Sequence, residues 1–344
     1  MIHHPRVLDP EEVPDQELIV HRGAHFRDVQ EAFRRMAAGE TQSPFVLTGP
    51  PGTGKTLIAR DALRRLAQQQ DLRTAYVDCW QDYDDYHLLA QVVDRLDLDV
   101  VHHNSTPRST LVDALQQPAE TPRIVVLDEL EMVPESEPLQ QLADAPGVSV
   151  ACIVNEPGEI TTLLTDAWGR VPAGAQRLEF GRYAVSELVE ILSKRAAHGL
   201  SGGPVSERLL ERMAEAADGD ARLGICILRE AARHAREAGV DRISNTQLVA
   251  AVEAARRQLH QASLERLTAH QRTLYDLLVA AGALSPGELH ERYAERVSEP
   301  RSRRTIVTYL QKMDRYGLVE ATGTTKNRTY RVDTSGYANL DLVC

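Results

Sequence analysis

A chain of 344 residues is longer than one ordinary core supports, so two or three domains are expected. Its 42% hydrophobic and 26% charged residues are those of a soluble globular protein, and no apolar run approaches the ~18 residues of a membrane span. The formal net charge is −11, so wherever positive charge gathers it needs a local reason.

The opening stretch MIHHPRVLDPEEVPDQ is polar and punctuated by proline, unlike a signal or transit peptide, and a cytoplasmic protein with no membrane partner is expected. The cysteines Cys79, Cys152, Cys226 and Cys344 lie far apart without a C-x-x-C pair. Buried free thiols are expected, in place of a zinc site or a disulfide framework.

A short apolar strand, Phe45 to Leu47, leads into Gly49-Pro50-Pro51-Gly52-Thr53-Gly54-Lys55-Thr56 and then, from Leu57, into an amphipathic helix. This is G-x-x-x-x-G-K-[ST] between the strand and the helix that a phosphate-binding loop requires. Gly52 and Gly54 let backbone N–H groups turn inward around phosphates, and the helix adds its positive dipole end. Lys55 then neutralises the β- and γ-phosphates, and the Thr56 hydroxyl serves Mg²⁺. The run RIVVLDELEMV supplies the acids such a loop needs: a strand over Ile124 to Leu127 ends in Asp128, expected on the metal, and Glu129, expected to polarise water.

Thr74 to Cys79, Val148 to Asn155 and Arg177 to Phe180 read as further strands, which predicts a five-stranded, mostly parallel sheet between helical layers. Asn155, closing its strand, suits either a contact to the terminal phosphate or an ordinary turn. From Val185 to Leu264 the periodicity is helical throughout, with Ser186 and Ser206 as expected N-caps and Gly199, Gly219 and Gly239 as stops. Arg222 opens the third of these helices against its dipole. It either reaches the nucleotide or pairs with Asp218 or Asp220.

After Leu264 three helices, ending with RSRRTIVTYLQKMDRYG, precede two short strands around a polar turn. That order is expected of a winged helix, whose third helix enters the major groove. Between Arg301 and Arg331 eight basic residues face two acidic ones, so this segment carries +6 and the remainder −17. Such segregation suits a phosphate-binding surface, with Arg301, Arg303, Arg304, Thr305 and Lys312 on the recognition helix and Lys326 and Arg328 on the wing. A solvated helix face or a protein-docking module accounts for the same charges.

Together these residues resemble an AAA+ ATPase, and within that class the archaeal replication initiators related to the origin-recognition complex and its cell-division-cycle loader partner. ELIVHRGAHFRDVQEAF is similar to the segment before the family's P-loop, AYVDCWQDYDDYHLL to its second strand, EFGRYAVSELVEILSKR to its hinge and GDARLGICILREAARHA to its sensor-2 helix. The resemblance implies Asn155 as sensor 1, Arg222 as sensor 2, Arg22 and Tyr183 beside the nucleotide, and Arg170 acting on a neighbouring subunit's nucleotide. It implies an AAA+ domain over 1–182, a helical lid over 183–264 and a winged-helix domain over 265–344. It also implies ATP or ADP with Mg²⁺, weak switch-type hydrolysis, binding to origin duplex DNA and recruitment of the replicative helicase. Oligomers with itself or with paralogues belong to the same expectation. The chain departs from the family pattern at Gly23, Asp78, CIVNEP and the short stretch after Glu129. The competing reading is a regulatory or signalling P-loop ATPase whose winged helix docks a protein or an operator.

Overall fold

The computed structural model describes residues 2–40, 43–80, 85–102, 105–133, 135–169, 176–201, 205–324 and 327–333. The chain divides into two compact units, Met1–Leu248 and Val249–Cys344.

The first unit alternates helix and strand: α1 (Gly23–Ala37), β1 (Phe45–Thr48), α2 (Lys55–Gln69), β2 (Arg73–Asp78), α3 (Asp85–Arg95), α4 (Arg108–Gln116), β3 (Arg123–Asp128), α5 (Glu137–Ala143), β4 (Val148–Val154), α6 (Pro157–Trp168) and β5 (Arg177–Glu179). The sheet order is β2-β3-β4-β1-β5, with every pair parallel. β3 is buried along its whole length, which is why RIVVLD reads as an unbroken apolar run. β2 lies at the edge, and its burial alternates.

One face of the sheet is closed by α1 and α2, where Val29, Phe33, Ile58 and Leu66 pack with Leu47, Ile124, Val126 and Ile153. Full burial of each such large apolar side chain contributes roughly 1.5–3 kcal/mol. The register matters more for function. Thr48 pairs with Val154 and Asp128 with Ile153, so the ends of β1, β3 and β4 arrive at one edge together.

Four helices follow: α7 (Val185–Gly199), α8 (Glu207–Ala217), α9 (Ala221–Glu237) and α10 (Asn245–Glu265), the last beginning in the first unit and lying mostly in the second. α7 starts ahead of the expected cap: Ala184, not Ser186, is its N-cap, and the Ala184 N–H donates to the Glu187 carboxylate at 2.8 Å. Ser206 is the N-cap of α8. The N-terminal segment packs on α7. Leu8 is fully buried against Gly199, where an added Cβ would come within 2.8 Å of Leu8 Cγ, and Arg195 Nη1 donates to the Val7 carbonyl at 2.6 Å. Burial of that guanidinium lowers its pKa to about 10.

The second unit contains α11 (Ala269–Ala281), β6 (Ala283–Leu284), α12 (Pro286–Ala294), α13 (Arg303–Arg315), β7 (Val319–Thr322) and β8 (Thr329–Val332). Its sheet is antiparallel in the order β6-β8-β7. The two-residue strand β6, paired with β8, is an addition to the expected helix, helix, helix, hairpin. Thr268, Ser285 and Ser302 cap its three helices by accepting from the third helical N–H. Tyr293, Tyr309, Tyr330, Leu289, Leu310 and Met313 form its buried centre. Among the described residues no helix is long and apolar enough to cross a membrane.

Candidate nucleotide site and nucleic-acid interface

The loop between β1 and α2 is built by close approach. Gly52 has φ +73, and a Cβ there would lie 1.9 Å from Asp220 Oδ1. A Cβ on Gly49 would lie 2.1 Å from the Phe180 carbonyl oxygen. The glycines therefore admit β5 on one side and the start of α9 on the other. The Ala221 N–H donates to the Gly52 carbonyl at 3.1 Å, and Asp220 caps α9 through the Leu223 N–H at 3.0 Å. Pro50 accepts from the Thr53 hydroxyl at 2.8 Å, which holds the loop's own curve.

Lys55 sits buried at the centre. Its ammonium donates to the carbonyls of Gly49 (2.5 Å) and Pro50 (2.8 Å) and to Asn155 Oδ1 (3.2 Å). Burial lowers its pKa to about 8; Asp128, Glu131 and Glu129 oppose that shift, and the charge of Arg222 adds to it. Arg222 also lies 3.8 Å from Asp220. It thus pairs as its alternative reading expected while bearing electrostatically on Lys55.

Thr56 and Asp128, predicted from separate stretches, meet: the Thr56 hydroxyl donates to Asp128 Oδ2 at 2.6 Å. The Tyr76 hydroxyl donates to the same oxygen at 2.6 Å, and the Glu129 N–H donates to Oδ1 at 2.9 Å. Burial, followed by the neighbouring Glu129 charge, raises Asp128 to about 6, against the pull of those two hydroxyls. Glu129 itself holds a left-handed backbone, φ 56, uncommon for a residue with a side chain. Asn155 is bound on its other side by Glu131, whose Oε1 accepts from Asn155 Nδ2 at 2.7 Å and from its backbone N–H at 3.3 Å.

Arg22 is buried against the same loop. Its Nε donates to the Thr53 carbonyl at 3.0 Å, its Nη2 donates to the Gly181 carbonyl, and its guanidinium lies 4.1 Å from the Tyr183 ring centre. Sequence reasoning missed Asp220, Tyr76 and Glu131 as parts of this site. Asp220 was legible as an N-cap, and Glu131 follows the acidic pair by two residues; Tyr76 carried no signal of its own. Arg170 lies outside the described residues.

In the second unit Arg301, Arg303 and Arg304 are exposed at the start of α13, and Thr305 bonds through its hydroxyl to Ser302 at 2.9 Å. The Arg301 N–H donates to Tyr293 Oη at 3.2 Å, fixing the approach to the helix. Lys312 corrects the expectation: it is 3% exposed, on the helix face turned to the core, and its ammonium is withdrawn from any phosphate surface. Arg331 is engaged by Glu320 at 2.6 Å across β7 and β8. Arg328 is half-buried, and Lys326 lies outside the described residues.

Residues 37–154 match the AAA domain family, and residues 189–255 match the Cdc6 AAA+ ATPase-type lid domain. ORC1-type DNA replication protein 9 of Halobacterium salinarum is 34% identical over 332 residues, spanning 96% of this chain and 93% of that protein. This chain belongs to the archaeal Orc1/Cdc6 family. A second Halobacterium salinarum relative, ORC1-type DNA replication protein 1, is 30% identical over 308 residues, 89% of this chain and 99% of that protein. The solved structure of Aeropyrum pernix ORC1 in complex with DNA has the same fold, with a TM-score of 0.72 at 24% identity, covering 96% of this chain and 94% of that one. Cdc6p of Pyrobaculum aerophilum follows at TM-score 0.63 and 19% identity, with 97% and 94% covered. An Orc1/Cdc6 protein is an AAA+ ATPase, and the matched AAA and lid segments contain the P-loop, the paired acids and the helix α9 described above.

Proposed function

We propose that this protein is an ATP-dependent initiator of DNA replication that binds origin duplex through its second unit and helps recruit the replicative helicase. Hydrolysis ends the bound state and serves as a switch, not as a fast motor cycle. The carrying observation is the seating of the start of α9 on the P-loop, through Asp220, Ala221 and Gly52, beside Arg222 and Lys55. A lid held at the phosphate loop answers to what the loop holds.

The hydroxyl of Thr56 and the carboxylate of Asp128 offer hard oxygen donors side by side, which suits Mg²⁺. Bound with the nucleotide, the ion supplies neutralisation of phosphate charge. Lys55 binds phosphate, Asn155 and Arg222 contact its terminal group, and Glu129 accepts a proton from the attacking water. Arg170 is assigned to a neighbouring protomer's nucleotide, in an assembly with itself or with paralogues. Arg301, Arg303, Arg304, Thr305, Arg328 and Lys326 are assigned to duplex DNA. That the Aeropyrum pernix relative of the same fold was solved in complex with DNA supports DNA as the partner.

The test is to crosslink the protein in its own cells and sequence the DNA it holds, beside a variant with Arg301, Arg303 and Arg304 reversed to Glu. Peaks at intergenic repeats near a replication start, lost in the variant, are expected. Peaks at promoters, or occupancy indifferent to the variant, would move the protein to the regulatory ATPases.

A further inference from the structure

We infer that Glu131 is a positioning residue of the nucleotide site, holding the side-chain amide of Asn155 in one of its two orientations. The inference rests on the reading of Asn155 as a contact to the terminal phosphate.

A primary amide is nearly symmetric in shape but not in chemistry: one end accepts hydrogen bonds and the other donates them. Whether Asn155 serves a phosphate depends on which end is committed elsewhere. Two neighbours decide it. The Lys55 ammonium, which has donors and no acceptor, takes Oδ1 at 3.2 Å. The Glu131 carboxylate takes Nδ2 at 2.7 Å, and the same oxygen takes the Asn155 backbone N–H at 3.3 Å. An ionised carboxylate only accepts and an ammonium only donates, so rotating the amide by half a turn would set like against like at both ends. The amide is clamped.

The local fold explains why Glu131 can do this. β3 and β4 are neighbours in parallel register, so the turn Leu130–Met132 after β3 faces the residue that follows Val154. The left-handed backbone of Glu129 turns the chain directly after Asp128. Glu129 and Glu131 therefore separate in role. Glu129 belongs with the metal-side carboxylate, and Glu131 belongs with Asn155. Glu131 also adds negative charge near Lys55, so the test must separate charge from orientation.

The full-length chain, freed of nucleotide, is titrated with ADP and with a non-hydrolysable ATP analogue, in EDTA and in Mg²⁺, while melting confirms the fold. Asn155→Ala is expected to lower the preference for the ATP analogue over ADP by about tenfold, the worth of one charge-assisted hydrogen bond. Glu131→Ala is expected to lose most of that preference with ADP affinity held within about twofold. The double variant should be no worse than Asn155→Ala, because the two act through one contact. Glu131→Gln, whose carbonyl still accepts from Nδ2 but carries no charge, should keep the preference. A Glu131→Ala protein that discriminates like wild type, or that loses ADP affinity equally, overturns the inference. So does a Glu131→Gln protein as damaged as Glu131→Ala, since charge on Lys55 would then be the cause. If Asn155→Ala itself keeps the preference, the terminal-phosphate reading fails first and the inference falls with it.

Discussion

Gly52→Ala tests the seating of the lid on the P-loop. The Gly52 backbone lies at φ +73, where a residue with a Cβ is strained by roughly 1–2 kcal/mol. The new methyl would also fall 1.9 Å from Asp220 Oδ1, so the Asp220 side chain has to move. Moving it breaks the cap on α9, worth about 1 kcal/mol. The sum is about 2–3 kcal/mol, and for a unit of this size each kcal/mol lowers the melting temperature by about 2–4 °C. Melting of the nucleotide-free chain should therefore fall by roughly 5–10 °C. Asp220→Ala alone should cost about 1 kcal/mol, the cap. In the double variant there is no carboxylate left to displace, so the combined loss should fall short of the sum by about 1 kcal/mol. Strict additivity, within ~0.3 kcal/mol, would mean that Asp220 does not close over Gly52 and would refute the reasoning.

Three further outcomes are expected. Glu129→Gln should keep ATP affinity within about threefold and slow single-turnover hydrolysis by at least ~100-fold, measured by rapid quench; normal turnover would remove its assigned role. In nucleotide-free buffer with EDTA, Asp128 is raised from its ordinary 3.8 to about 6, so the native state keeps a proton that the unfolded chain has released. Stability from this group is undiminished below pH ~4 and is lost as pH rises to about 6, a drop on the order of 3 kcal/mol. The stability difference between Asp128→Asn and wild type, followed by urea unfolding, should grow by that amount across the window; a flat difference would contradict the shift. Reversing Arg301, Arg303 and Arg304 should weaken duplex binding and flatten the dependence of log K on log salt by about 2–3, since each arginine neutralises roughly one phosphate. An unchanged slope would place the DNA surface elsewhere.

The sequence by itself determined the parts whose chemistry is local. A P-loop is a run of eight residues, Gly49 to Thr56, and its flanking strand and helix are adjacent in the chain. Asp128-Glu129 closes an apolar run that a strand buried on both faces must have. The run of helices after Val185 and the basic start of α13 were likewise legible from periodicity and charge, while the reading of that run as a lid came from the family resemblance. What tertiary structure decided was which of these parts touch. The order β2-β3-β4-β1-β5 brings Asn155 between Lys55 and Glu131, and the pairing of β2 with β3 brings Tyr76 to Asp128. Lid packing sets Asp220 over Gly52, 168 positions earlier in the chain. The burial of Lys312 belongs to the same class, because a charge count does not say which face of a helix the core takes. Strand β6, at two residues, is too short to show any period. Hydrophobic periodicity records which residues face inward, and motif spacing records chemistry along the chain. Neither records strand order, and in this protein strand order and lid packing bring the parts of the nucleotide site within hydrogen-bond distance.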